Sequence, residues 1–525
     1  MFKTLSRKSI LHKTFQVGGN TLVSRLLGLT REILQMRFLG IGIANDAFNT
    51  AFMIPNSLRK MFAEGALTAA FVPTFVNVYK KDGTKEANGL MTLSLLAFES
   101  LVLIICALIM WKTEATLRLF APGFSTEQIA TAVPCLKILM PFIFFISTSS
   151  LLTGALQSAH HFFVPSFAPV LLNVFYIGGI LICLAKGYTI EYLSWAIMTG
   201  GFIQFLLHVW MYIKLGFSVA MPSQESYKSF LRILAKFLPC FFSMSVMEIN
   251  LIIDNVFASY GSVGTVTLIK YTSRLMGIPL GVFSTAFSTI LLPHFSRVAM
   301  YAPRRLSFYI LEASKFILWV TAPATLIMCY LADDIFLTLF ASSSSKFPLE
   351  IVPVAGWMLI GYLIGLFWIS VNKILLTLFY SFHDTRRPMY TAIIATILNY
   401  GFNFVFFSWW GGLGIPFATT LSGIVQMLIS LYLLNKYHNF TLYIGKFLRF
   451  AMRYLLQMFV IAIPAFGLYK LVRHSVETFC TSQWLQFFMM KSFGYWVWAV
   501  PVILIYFYGL YTTKKFFKVK LYFLN

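Results

Sequence analysis

Charge is what this sequence has least of. Only 11% of its 525 residues are Asp, Glu, Lys or Arg, against 58% hydrophobic, and the mean hydropathy is +0.77. A soluble globular domain carries about 25% charged residues. There is too little polar sequence here to coat a soluble protein of this length, so a bilayer must act as part of the solvent. Acids are scarcer still, 18 against 41 Lys and Arg, for a net charge of +23. In a soluble protein that excess would suggest nucleic acid. Here most cations stand in short segments beside apolar runs, as membrane topology demands, and no nucleic-acid partner is expected. The six cysteines (Cys106, Cys135, Cys183, Cys240, Cys329, Cys480) are scattered without a C-x-x-C pair, which reads as small buried hydrophobes. No G-x-x-x-x-G-K-[ST] run is present, which argues against ATP as the energy source. The first apolar segment is too long and too charged for a cleavable signal peptide, and none is expected.

What is present is a series of long apolar stretches without strand-like alternation, which favours helices over a barrel. Stretches of about 20 residues place about fourteen helices near 13–40, 45–78, 88–111, 132–157, 165–186, 190–214, 232–259, 264–294, 308–332, 351–380, 389–408, 413–436, 447–471 and 491–512. The fold class is therefore an all-α polytopic membrane protein. Lys and Arg gather at the N-terminus, after helices 2, 6, 8, 10 and 12, and in the C-terminal tail (Lys514, Lys515, Lys518, Lys520). Both termini are expected to face the cytoplasm. Loops near 214–230, 333–350 and 472–490 are too short to fold alone, so the activity must lie in the helical bundle. A channel, a transporter and an integral-membrane enzyme all fit at this point.

Some charges lie where they are expensive. Helix 1 contains Arg25, Arg31 and Glu32; helix 2 contains Asp46, Arg59, Lys60 and Glu64; helix 8 contains Lys270 and Arg274. Three central arginines facing lipid would cost roughly 8–10 kcal/mol, so they must face one another, acids or water. Arg25 and Glu32 share a helix face, with Arg31 about 120° away. Pro55 in helix 2, and Gly277, Pro279 and Gly281 after Arg274, are helix breakers of the kind tolerated where backbone lines a cavity. Arg37, Lys60 and Asp46 read as ion-paired or snorkelling groups. For Arg25, Arg31, Arg59 and Arg274 cations outnumber nearby acids, and a surplus of guanidinium points to an anionic ligand such as a phosphate or carboxylate, which its planar fork binds bidentately.

The run SRLLGLTRE (Ser24 to Glu32), NDAFNTAFMIPNSLRK (Asn45 to Lys60) and FAEGALTAAFVP (Phe62 to Pro73) closely resembles the opening of the MurJ (MviN) family of lipid II flippases, in the MOP exporter superfamily. APGF at Ala121, PSFAPVLLN at Pro165, SRLMGIPLGV at Ser273 and ILLPHFS at Ile290 extend the resemblance along the chain. It implies two six-helix lobes around a central cavity, 1–220 and 221–440, plus two further helices in 441–525 that form a groove for a lipid tail. The implied partner is undecaprenyl-pyrophosphate-linked disaccharide pentapeptide, moved from the cytoplasmic to the outer leaflet of a bacterial inner membrane by alternating access, by a monomer and without catalysis. The family's cavity arginines fall on Arg25, Arg31, Arg59 and Arg274. Glu32, Asp46, Glu64 and Lys270 fall among gating or ion-pairing positions. Where many members carry an acid before the helix 8 arginine, this chain has Ser273.

No cofactor is implied, apart from a sodium ion that some members hold between helices 7, 11 and 12. The matching positions are Asp254, Asn399, Asn403, Pro416 (through its carbonyl) and Thr420, whose hard oxygens suit a hard cation. Asn and Thr also bond between membrane helices without any ion, and membrane potential or a proton gradient are alternative driving forces. The competing functions are a multidrug or polysaccharide-lipid exporter of the same superfamily and a polyprenyl-phosphate glycosyltransferase. The first would want an acidic or aromatic cavity for cationic drugs. The second would need catalytic carboxylates, for which Asp333 and Asp334 are the candidates.

Overall fold

The structure is a computed structural model. It describes residues 7–522 apart from 286, 289–290, 292–294, 296, 299–300, 302–304, 342–345, 383, 385, 439, 441–442 and 481, with side chains left out at 7–15, 64–65, 69, 242–244, 247, 282–283 and 285. Every helical stretch read from hydropathy coincides, over its described residues, with a helix or with contiguous helices; part of the 264–294 stretch beyond Thr285 lies outside them. In chain order these are α1 (Arg7–Leu39), α2 (Ile43–Leu58), a π-helical stretch (Arg59–Leu67), α3 (Thr68–Lys81), α4 (Gly83–Trp111), α5 (Thr113–Phe120), α6 (Thr126–Leu139), α7 (Phe142–Ser158), α8 (Phe163–Lys186), α9 (Ile190–Lys214), α10 (Gln224–Ser259) and α11 (Thr265–Pro279). A second π-helical turn (Leu280–Thr285) follows, then α12 (Leu306–Tyr330), α13 (Ala332–Phe336), α14 (Val352–Ile364), α15 (Leu366–Ser381), α16 (Arg386–Trp410), α17 (Gly414–His438), α18 (Ile444–Phe479), α19 (Gln483–Lys491) and α20 (Tyr495–Thr513). Among the described residues nine stretches are long and apolar enough to cross a membrane, one of them the α16–α17 pair. Charge-bearing α1, α2, α10 and α11 are not among the nine.

Local chemistry sets the helix ends. Gly40, at φ 68°, closes α1 in a left-handed conformation open to glycine. Ser125 and Gln128 form a reciprocal capping box at α6: Gln128 N–H donates to Ser125 Oγ at 3.2 Å, and Ser125 N–H to Gln128 Oε1 at 2.9 Å. The break expected after Arg274 appears as the π-helical turn behind Pro279, whose missing N–H cannot continue the α ladder. Helix α2, by contrast, runs through Pro55 and widens only at Arg59.

The chain forms two compact units, Met1–Thr267 and Leu268–Asn525. In the first, α8 lies between α1 and α9, and α10 packs on α3, α4 and the Arg59–Leu67 stretch. Backbones come close there: a Cβ on Gly179 would lie 2.4 Å from that of Ala196, so α8 and α9 require a small residue at that crossing. Buried rings of Phe62, Phe98 and Phe237 meet edge-on or tilted with centroids 5.1–5.9 Å apart. In the second unit Phe295, Leu306, Ile317, Leu375, Leu378, Phe379 and Leu434 form one buried cluster, while α18 and α20 meet around Met458, Ala462, Tyr506 and Leu510.

Candidate functional site

Arg31 and Glu32 of α1 and Asp46 of α2 are knitted into one polar chain inside the first unit. Arg31 Nη2 lies 3.3 Å from Glu32 Oε1 and its Nη1 donates to Asn173 Oδ1 on α8 at 3.2 Å. Its guanidinium carbon stands 4.8 Å from the Tyr176 ring centroid, a cation–π contact. Asn173 turns its amide to Ser24, donating to the carbonyl at 3.2 Å and to Oγ at 3.3 Å. Tyr176 O–H donates to Gln35 Oε1 at 2.9 Å, and Gln35 Nε2 donates to Asn45 Oδ1 and Asn49 Oδ1, each at 2.9 Å. Asn49 Nδ2 then reaches Thr267 Oγ1 at 3.3 Å, and Thr267 bonds Asp46. Every member from Glu32 to Thr267 is buried, with Arg31 half-buried. In such surroundings an unmade hydrogen bond is costly, so the network holds α1, α2 and α8 in one register.

Among the described residues Asp46 meets no cation. Its carboxylate accepts the N–H groups of Gly264 and Thr267 and the Thr267 hydroxyl, so its partners are the first turn of α11. Gly264 has φ +96°, and a Cβ there would come within 2.2 Å of Ile41. Only glycine lets that N–H approach.

The remaining candidates divide. Arg25 is exposed, with no hydrogen bond or ion pair among the described residues. Arg59 is half-buried, and its Nε and Nη2 donate to Asn56 Oδ1 at 3.2 and 3.0 Å. Lys60 pairs with Glu248 of α10 at 3.1 Å, and Ser57 Oγ donates to the same carboxylate at 3.2 Å. The side chain of Glu64 lies outside the described residues. In the second unit Arg274 is exposed on α11, while Lys270 is half-buried with Nζ 5.8 Å from the Tyr271 ring centroid. Ser273 donates to the Lys270 carbonyl at 3.0 Å. Arg31 retains donor capacity: its Nε–H is buried and no described acceptor takes it.

The sodium candidates fall in both units. Asp254 is buried on α10 of the first. In the second, Asn403 Nδ2 donates to Asn399 Oδ1, both side chains being buried on α16. Thr420 Oγ1 on α17 donates to the Gly361 carbonyl at 2.7 Å, which leaves its lone pairs open. The amide and hydroxyl oxygens of the second-unit candidates are hard ligands of the kind a hard cation takes. No cluster of three or more His, Cys, Asp or Glu exists among the described residues.

Asp334 is engaged structurally. Tyr469 and Tyr495 O–H donate to its Oδ2 at 3.0 and 3.2 Å, and Arg473 Nη1 lies 3.4 Å away. This leaves no free carboxylate pair for glycosyl transfer at that loop. Tyr176, Asn173, Gln35, Asn45, Asn49 and Thr267 carry much of the network, yet sequence reasoning gave them no role. The four-residue spacing of Asn45 and Asn49 was the available signal.

A family profile described as "Lipid II flippase MurJ" matches residues 36–491. The lipid II flippase MurJ of Burkholderia cenocepacia is 33% identical over 434 residues, covering 79% of this chain and 81% of that protein. The probable lipid II flippase MurJ of Vibrio cholerae is 30% identical over 455 residues, covering 83% and 86%. A solved lipid II flippase MurJ in an inward closed conformation superposes with a TM-score of 0.77 at 24% identity over 96% of this chain and 98% of that one. An inward-facing multidrug-resistance MATE transporter of the MOP superfamily gives 0.68 at 16% identity, covering 78% and 93%, a likeness of fold.

Proposed function

Because this chain belongs to the lipid II flippase MurJ family, we propose that it is a transporter, not an enzyme, that carries the lipid-linked peptidoglycan precursor across the membrane by alternating access. The precursor is undecaprenyl-pyrophosphate-linked disaccharide pentapeptide, and the direction is from the cytoplasmic to the outer leaflet. Lys and Arg asymmetry supports an inner-membrane protein with both termini in the cytoplasm.

The observation that carries the mechanism is unspent guanidinium capacity within largely apolar helices. Arg25 is exposed without an acidic partner among the described residues, and Arg31 keeps a buried Nε–H free beside its single carboxylate. Arg25, Arg31, Arg59 and Arg274 bind the pyrophosphate and peptide carboxylates, replacing hydration the headgroup loses in hydrocarbon. Glu32, Asp46, Glu64 and Lys270 serve as gating or ion-pairing groups, Asp46 through the start of α11 that it caps. An arginine surplus disfavours a drug-cation exporter on the same fold. The family resemblance supports a reading of two lobes, 1–220 and 221–440, with 441–525 accommodating the lipid tail. Asp254, Asn399, Asn403, Thr420 and the Pro416 carbonyl would hold a sodium ion, whose gradient supplies driving force when it is bound.

The test is reconstitution with the precursor, reading its exposure at the outer leaflet. Ala replacements at Arg25, Arg31, Arg59 and Arg274 should abolish transport while leaving folded protein. Full rescue of a flippase-depleted strain by several of them removes the anion-binding mechanism. Asp254→Ala should make transport insensitive to sodium; an unchanged sodium response rules that site out.

A further inference from the structure

Glu99 stands in the middle of α4 with nothing among the described residues to bond its carboxylate. The residue is 7% exposed, and neither Oε1 nor Oε2 has a hydrogen-bond partner. It shares a helix face with Val102 and Cys106, both buried. That face lies on α7 and the turn before it: Cys106 S–H donates to the Met140 carbonyl at 3.5 Å. Ser147 and Thr148 of α7 stand beside the Glu99 carboxyl, close enough to interact with it. Neither is placed in hydrogen-bonding geometry: Ser147 Oγ has no partner, and Thr148 Oγ1 donates to the Phe144 carbonyl at 3.0 Å.

Among the described residues no cation answers this carboxyl. Helix α7 contains no titratable residue. Helix α10, which also packs on α4, brings Lys236, which is exposed, Cys240, and Glu248, which is bonded to Lys60 and Ser57. Helix α3 brings Tyr79, Lys80 and Lys81 in its last turn, and on α5 Arg118 pairs with Glu114. On α4 itself Lys85 and Glu86 lie in the first turns, far along the helix, and Cys106 is the nearest titratable neighbour. An ionised carboxylate enclosed in this way pays a desolvation cost that the nearby Ser147 and Thr148 hydroxyls offset only in part. A metal cation wants a shell of several oxygens, whereas on the described α4–α7 face only the Glu99 carboxyl and the Ser147 hydroxyl are uncommitted. A proton needs nothing beyond the carboxyl.

We propose that Glu99 is a proton-binding site inside the first unit, loaded in this conformation as the neutral acid and sealed by α7. Binding forms one O–H bond on the carboxylate, and release returns that proton to water. Water reaches the group only when α4 and α7 part, so loading and unloading are tied to the motion of those helices. A transmembrane proton gradient then has a residue to act on, a consequence that rests on the transport role proposed above, whereas the protonation of Glu99 does not.

Infrared difference spectra of the full-length protein in lipid, wild type against Glu99→Gln, test it. At neutral pH the wild type should show the C=O band of a weakly hydrogen-bonded carboxylic acid, lost completely in the amide variant and unchanged when sodium replaces potassium. Carboxylate bands in its place overturn the proposal. So does a C=O band that converts to carboxylate on adding sodium, which would make Glu99 a metal ligand. Glu99→Asp should keep the acid and shift the band, securing the assignment if the amide variant folds poorly; an unshifted band places the signal elsewhere and also overturns it. In proteoliposomes a proton gradient should accelerate precursor transport by wild type and not by Glu99→Gln. Absence of transport in wild type would count against the flippase reading and leave the infrared result standing.

Discussion

Asp46 caps a helix that begins more than two hundred residues later in the sequence. Its Oδ2 accepts the Gly264 N–H at 2.6 Å, and its Oδ1 accepts the N–H and hydroxyl of Thr267 at 2.9 and 2.6 Å. These N–H groups belong to the start of α11, where the ladder leaves donors unsatisfied and the helix dipole favours an anion.

Removing that cap should therefore be felt as lost stability before any effect on transport. Asp46→Ala strands two buried N–H groups, and a loss of about 2–3 kcal/mol is expected. Asp46→Asn keeps one acceptor and should lose less. Thermal melting in detergent measures both; an Ala variant as stable as wild type would show that the cap contributes nothing.

Arg31 and Glu32 make a second prediction, in which stability and transport separate. Arg31→Ala removes the ion pair that Arg31 makes with Glu32, which is 4% exposed, and a lower melting temperature is expected. Adding Glu32→Ala should recover most of the melting temperature. Transport should stay lost in the double variant, because the guanidinium is still missing. Recovery of both together would mean that Arg31 serves only to neutralise its neighbour.

Much of this was legible beforehand, for physical reasons. Apolar runs without strand-like alternation had to be helices, because the bilayer itself satisfies no backbone group, and the expected segments are largely helical over their described residues. Arg25, Arg31, Arg59 and Arg274 stood out because charge in such helices is costly. The partners did not stand out. Asn173 and Tyr176 lie more than a hundred residues from Arg31, and a cross-helix contact has no local spacing to betray it. Asp46 suggested a cation, but its partners are backbone N–H groups, which nearly every residue possesses and no motif displays. Asn45 and Asn49 lay in a recognised motif and share a helix face, so their pairing could have been read from spacing alone.

Lys60 and Glu248 join the Arg59–Leu67 stretch to α10. Reversing one charge should destabilise the protein, and reversing both, Lys60→Glu with Glu248→Lys, should restore part of the loss, with a coupling of about 0.5–3 kcal/mol in a double-mutant cycle. Additive single effects would show that the pair is uncoupled.

Asp384, between α15 and α16, predicts an acid limb to the stability profile. Burial raises its carboxyl, but hydrogen bonds from the Arg387 side chain and backbone and from His438, with the Arg387 charge, outweigh it and hold the group below the ordinary carboxylate value of 3.8. A lowered folded value means stability present above about pH 4 and lost as the pH falls through that value. Asp384→Asn should flatten this limb of the melting profile; an unchanged acid limb would place the titration elsewhere.

Asp334 should act as a fastener for the last helices. Tyr469 and Arg473 on α18 and Tyr495 on α20 converge on it. Asp334→Ala should raise hydrogen exchange in α18 and α20 selectively, while α16 and α17 keep wild-type protection. Uniform exchange across the second unit would show that the knot has no local role.

The π-helical stretch from Arg59 to Leu67 has an evolutionary corollary. A π turn holds more residues than an α turn of equal standing, so this helix carries surplus length just where Arg59 and Lys60 sit. Loss of one codon here could relax the wide turn to ordinary pitch and leave α3 seated as before, whereas the same loss inside α4 or α8 would rotate every following side chain by about 100°. Natural length variation in this family should therefore be tolerated at that point and purged a few turns to either side.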